Sequence, residues 1–91
     1  MELLTEGQLA DELATVPAWT RDSDEIILRV ERADFRDALL YVNAVGYLAE
    51  RANHHPDVAI AWNKVTLTLS THAAGGLTVN DFALARQIDT L

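Results

Sequence analysis

Residues 64–70 alternate between polar and apolar side chains without a break. Val65, Leu67 and Leu69 would lie on one face of a β-strand, with threonine and serine side chains on the other. A strand of this pattern buries only one of its faces, so a second layer must cover the apolar side. The rest of the chain therefore has to supply that layer.

Hydrophobic periodicity and turn residues divide the remaining sequence into further short elements. Strands are predicted at residues 18–21, 25–31, 57–62 and 64–71, and helices at residues 5–16, 33–53 and 78–91. Because neighbouring strands favour antiparallel pairing, this order predicts an α+β fold, an α-β-β-α-β-β-α sandwich. It has a four-stranded antiparallel sheet with the helices packed on one face. The length of 91 residues, without a linker or repeat, predicts a single domain over residues 1–91.

The long central helix is apolar over more of its surface than one layer of packing requires. Its two apolar lines consist of Phe35, Leu39, Val42 and Gly46, and of Leu40, Ala44 and Leu48. We expect this helix to pack on the sheet and also to meet another surface. The edges of the sheet could likewise be covered by a partner subunit.

The composition excludes several classes of protein. The formal net charge is −7 and the seven Lys and Arg residues are scattered, which argues against direct binding to nucleic acid or to anionic membranes. No stretch approaches the roughly 20 apolar residues of a membrane span. The absence of cysteine removes disulfides and thiolate metal sites. With an acidic N-terminal segment in place of a signal peptide, these features predict a cytoplasmic protein.

The three histidines of the chain all fall at the ends of predicted elements. His54 and His55 leave the long helix just before Pro56, and His72 leaves the last strand. Loops at such positions are where a rigid scaffold presents functional groups. Glu50 stands four residues before His54, so the two are expected to share a helix face, where the carboxylate could fix the imidazole tautomer.

Each of these residues also has a simpler interpretation. Single histidines are usually surface or core residues, and cationic histidines stabilise the C-terminal end of a helix. Thr78 and Asp81 form a capping pair for the last helix, and Trp19 could be a core residue. Three histidines can hold zinc, but the side chains of adjacent histidines diverge and seldom reach one metal. The residues alone leave these alternatives open.

The combined spacing is more specific than its parts. The chain reads Glu50-x3-His54-His55-Pro56-x5-Trp62-x9-His72-x8-Asp81. This pattern resembles the signature of the pterin-4a-carbinolamine dehydratase family, and Asn53, Asn63-Lys64-Val65 and Gly75-Gly76-Leu77-Thr78 are also family-like. The chain departs from the family at Asn80, where many members have a basic residue, and at Trp62, where tyrosine is common.

The resemblance implies a lyase that dehydrates 4a-hydroxytetrahydropterin to quinonoid dihydropterin. Such enzymes recycle the tetrahydropterin cofactor of aromatic amino acid hydroxylases, and they need no metal or organic cofactor themselves. Imidazoles titrate near neutrality, so they suit a reaction that protonates a leaving hydroxyl and removes a proton from nitrogen. Relatives form homodimers or homotetramers, and some serve as binding or assembly proteins instead of catalysts. That second role is the alternative expectation.

The resemblance also implies roles for individual residues. His54, His55 and His72 would line the pterin site, with His54 and His72 as the acid–base pair and His55 orienting the substrate. Glu50 would support His54. The substrate-binding set would comprise Trp19 at the border of the pocket, the peptide groups of Ser70 and Thr71, and Asp81 holding the loop.

Overall fold

The computed structural model describes residues 2–91, which form three α-helices and a four-stranded sheet. The helices are α1 (Glu6–Ala14), α2 (Phe35–Ala52) and α3 (Val79–Ile88). The strands are β1 (Thr20–Asp22), β2 (Glu25–Glu31), β3 (Asp57–Ala61) and β4 (Lys64–Leu69). The predicted α+β class and the predicted order of elements are confirmed. Within these residues no helix is long and apolar enough to cross a membrane.

The sheet has the strand order β1-β2-β4-β3, and all three neighbouring pairs are antiparallel. In the central pair Ile26 lies opposite Leu69 and Leu28 opposite Leu67, and all four side chains are buried. The alternation predicted for β4 is therefore confirmed. Because the start of β2 meets the end of β4, this register also brings the β1–β2 turn next to the residues that follow β4.

Helices α2 and α3 pack against each other, and α2 also packs on the sheet. The side chains of α2 that enter the core are Ala38, Tyr41, Val45, Leu48 and Ala49. Of the two apolar lines expected from the sequence, only the second contributes to this set, through Leu48. Two of these five residues are alanines, whose small side chains allow close approach of the helix. Phe35, Leu39 and Leu40 remain 41–56% exposed.

Candidate active site

The end of α2 separates the environments of the two adjacent histidines. Asn53 closes the helix in the left-handed conformation, with φ 51° and ψ 43°. Asparagine adopts this conformation more readily than most other residues. The N–H of His54 still donates to the carbonyl of Ala49 at 3.1 Å. The last turn of α2 therefore stays hydrogen-bonded although the backbone changes direction at Asn53. After it, His54 contacts α3, whereas His55 stays beside α2.

His54 is held by a buried carboxylate. Its Nε2 lies 2.6 Å from Oδ1 of Asp81, the side chain of His54 is 12% exposed and that of Asp81 is fully buried. A buried charge requires hydrogen-bond partners to offset its desolvation. Residues that follow β4 and precede α3 supply those partners at Oδ2 of Asp81.

Two donors from the start of α3 and the end of β4 converge on Oδ2 of Asp81. The backbone N–H of Thr78 donates to it at 2.9 Å, and the hydroxyl of Thr71 donates at 2.8 Å. Since the Thr71 hydroxyl has only one proton, the 2.9 Å contact between the two threonine hydroxyls is donated by Thr78. Thr78 also forms the predicted capping box with Asp81, which is confirmed. Asp81 thus both caps α3 and holds the ring of His54.

Glu50 contacts His55, and the expected contact with His54 is wrong. Nε2 of His55 lies 2.5 Å from Oε2 of Glu50, and the two side chains are 57% and 79% exposed. The expectation assumed that the helix continues through residue 54. The left-handed turn at Asn53 instead removes His54 from the helix face that Glu50 occupies.

His72 begins a short 3₁₀ turn, His72–Ala74, that follows β4. Gly75 ends this turn with φ +78°, a conformation that glycine adopts without steric cost. The carbonyl of Thr71 accepts the N–H groups of Ala74 and Gly75 at 3.0 Å each. These hydrogen bonds fix the backbone from which the exposed His72 side chain extends.

The histidines line one open cleft of about 390 Å³. Its walls are Asn53, His54, His55, Ser70, Thr71, His72, Ala73 and Asn80. This volume lies within the range of small-molecule sites. The structure thus brings together the three histidines and two of the four residues expected to bind substrate, Ser70 and Thr71, while Asp81 lies directly behind His54.

A second hollow of about 440 Å³ shares the walls Ser70 and His72 with this cleft. Its other lining residues include Asp22, Asp24 and Glu25 of the β1–β2 turn. The hydroxyl of Ser70 donates to the carbonyl of Asp24 at 2.8 Å and fixes the turn beside the cleft. These acids were not among the site residues expected from the sequence. The sequence does show three acids within four residues, but their position beside the cleft depends on the β2–β4 register.

The cation nearest these acids along the chain is already paired. Arg21 donates to Glu6 at 2.6 Å, and this hydrogen bond together with the charge attraction lowers the pKa of Glu6. The same bond raises the pKa of Arg21. Arg21 is therefore engaged by Glu6 and does not line the acidic hollow.

Trp19 does not lie on the cleft. It is 4% exposed in the core, and its indole N–H donates to Oδ1 of Asp89 at 2.8 Å. Asp89 follows the last turn of α3, whereas the cleft lies at the first turn, next to Asn80. The expectation that Trp19 borders the pocket is therefore wrong within this chain, and the simpler interpretation as a core residue holds. No group of three metal-ligating side chains was found among residues 2–91.

Comparison with known proteins decides which family has this architecture. The family model described as Pterin 4 alpha carbinolamine dehydratase matches residues 2–91. The chain belongs to the pterin-4a-carbinolamine dehydratase family. A Nocardia farcinica relative named "Putative pterin-4-alpha-carbinolamine dehydratase" is 53% identical over 90 residues, covering 99% of this chain and 95% of the relative. A relative of the same name from Chloroflexus aurantiacus is 46% identical, covering 100% and 98%.

Solved structures give the same result for the pterin-4a-carbinolamine dehydratase fold. The crystal structure of a transcriptional coactivator/pterin dehydratase from Brucella melitensis superposes with a TM-score of 0.91 at 29% identity, covering 96% of this chain and 95% of that one. A pterin dehydratase-like RuBisCO assembly factor of the alpha-carboxysome superposes with a TM-score of 0.64 at 18% identity, covering 79% and 83%. The second likeness concerns the fold alone.

Proposed function

We propose that this chain catalyses the dehydration of 4a-hydroxytetrahydropterin to quinonoid dihydropterin, and so recycles the tetrahydropterin used by aromatic amino acid hydroxylases. Family membership supports the reaction class. The observation that carries the proposal is that His54 and His72 line the same cleft, with His54 anchored on a buried carboxylate. The cysteine-free composition supports a cytoplasmic setting.

The reaction needs two proton transfers and no redox step. The bond between C4a and the hydroxyl oxygen breaks, and the oxygen takes a proton and leaves as water. The N5–H proton is removed, and its electron pair forms the double bond between N5 and C4a. One imidazole of the pair His54 and His72 donates the first proton and the other accepts the second, while His55 orients the ring.

The surroundings of the cleft suit a neutral pterin. Ser70 and Thr71 line the cleft. Their hydroxyls already donate to the carbonyl of Asp24 and to Asp81, so the peptide group of Ser70 would meet the amide edge of the ring. Asp22, Asp24 and Glu25 make the adjoining hollow negative, which disfavours anionic ligands, nucleic acid among them. The pterin side chain would extend into open solvent or into this hollow.

The test is the decay of enzymatically generated 4a-hydroxytetrahydropterin, followed by ultraviolet absorbance. Wild type should accelerate it, and His54→Ala and His72→Ala should each lose about 10²- to 10⁴-fold in rate, the usual contribution of positioned acid–base groups. Arg29→Ala, on the exposed part of β2, is the matched control and should keep full activity. No acceleration by folded wild type would overturn the enzyme proposal and favour the binding or assembly alternative.

We also propose that the chain self-associates into a homodimer or homotetramer through α2. Phe35, Leu39, Leu40 and Tyr47 are 41–66% exposed on this one helix, more apolar surface than scattered single residues would give. Sedimentation velocity should show an oligomer that Leu40→Glu dissociates. Val79→Glu, which changes an equally exposed apolar residue of α3, should leave the oligomer intact. A monomeric wild type would refute the proposal.

A further inference from the structure

We infer that Asp81 is a positioning residue that fixes the neutral His54 ring in the tautomer with its proton on Nε2. Nδ1 is then the atom that exchanges a proton with a ligand in the cleft. The tautomer follows from the contacts alone, and only its kinetic consequence depends on the proposed dehydratase activity.

The carboxylate of Asp81 has a fixed orientation. Its Oδ2 accepts the backbone N–H of Thr78 at 2.9 Å and the hydroxyl of Thr71 at 2.8 Å. A backbone N–H can only donate, so the side-chain atom that faces it must be an acceptor. Oδ1 is left to face Nε2 of His54 at 2.6 Å.

The assignment of the ring proton follows from that orientation. An ionised carboxylate accepts hydrogen bonds and donates none, so Nε2 of His54 carries the proton between the two groups. His54 lines the cleft, and its Nδ1 has no hydrogen-bond partner within residues 2–91. Nδ1 is also not among the buried unpaired polar atoms, so it is open to a ligand.

The substitution Asp81→Asn tests this inference directly. The N–H of Thr78 is a fixed donor, so it leaves the new amide only one satisfactory orientation. The amide oxygen must face the N–H of Thr78, since an NH₂ group there would meet another donor. The NH₂ group then faces Nε2 of His54, which has to accept. The ring therefore switches to the tautomer with its proton on Nδ1, and the atom facing the cleft can no longer accept a proton.

Glu50→Gln is the matched control. It makes the same chemical change in the carboxylate that contacts the other histidine, His55. The Glu50 side chain is 79% exposed, and no backbone N–H bond to its oxygens was found within residues 2–91, so its amide can turn either way. No tautomer is forced in this variant.

The experiment is a long-range ¹⁵N–¹H correlation spectrum of the histidine rings at pH about 8.5, above the ordinary histidine range near 6.5. His54→Gln assigns the resonances. Wild type and Glu50→Gln should show His54 protonated on Nε2, and Asp81→Asn should show it protonated on Nδ1. Dehydration by Asp81→Asn should fall about 10²- to 10⁴-fold, the usual contribution of a positioned acid–base group. An Asp-to-Asn change that imposes the wrong tautomer in a serine protease costs about 10⁴-fold.

Two results would overturn the inference, whatever the activity. One is a wild-type His54 protonated on Nδ1, which can be seen even if Asp81→Asn does not fold. The other is a folded Asp81→Asn protein that keeps the proton on Nε2. A tautomer switch in a chain whose wild type shows no dehydratase activity would support the inference and reject the proposed function alone.

Discussion

His54 and His55 are neighbours in sequence, and each contacts one carboxylate through Nε2, yet their surroundings differ. The His54 side chain is 12% exposed and its partner Asp81 is fully buried, with two further donors on the carboxylate. The His55 side chain is 57% exposed and its partner Glu50 is 79% exposed. One turn of backbone at Asn53 produces this difference.

The difference in burial shows which of the two contacts can hold a histidine ring in one orientation. Away from water a hydrogen bond is stronger and an unpaired group is more costly, so the contact of His54 with Asp81 allows little rearrangement. An exposed contact such as that of His55 with Glu50 is open to water and contributes about 1 kcal/mol or less. The first contact is therefore suited to fixing a ring, and the second to an adjustable side chain at the rim of the cleft.

The largest expected difference is in stability. Asp81→Ala should lower the free energy of unfolding by about 3 kcal/mol. It leaves the buried N–H of Thr78, which is half of the α3 capping box, and the hydroxyl of Thr71 without their acceptor, and it removes the contact with His54. Glu50→Ala should lower it by less than about 0.5 kcal/mol. Urea denaturation followed by circular dichroism measures both, and equal losses in the two variants would contradict the comparison.

Local patterns in the sequence predicted the parts of the site that depend on a few neighbouring residues. The spacing of Thr78 and Asp81 identified the cap of α3, and the alternation in β4 identified its buried face. Each of these two predictions depends only on residue spacing within one element. The confirmed fold class follows from the order of such elements.

The parts that failed depend on where a helix ends or on contacts between elements. Glu50 was assigned to His54 from their spacing of four residues, but the left-handed turn at Asn53 takes His54 off that helix face. Trp19 was placed at the pocket by the resemblance to the family, and the sequence does not show that its partner would be Asp89, 70 residues away. The acids of the β1–β2 turn near His72 were missed because the register of Ile26 with Leu69 was not known. Tertiary packing decides where Trp19 and these acids lie.

The smallest expected effect concerns the exposed member of the histidine pair. His55→Ala should lower kcat/KM for the 4a-hydroxytetrahydropterin by about 3- to 10-fold, mainly through KM, which corresponds to one hydrogen bond of roughly 0.5–1.5 kcal/mol. His54→Ala, assayed beside it, should lose most of its rate in kcat. Steady-state kinetics with both variants separates the two histidines. A loss of 10²-fold or more in kcat for His55→Ala would give it a part in proton transfer, and the exposed contact with Glu50 would then have to be treated as a second catalytic pair.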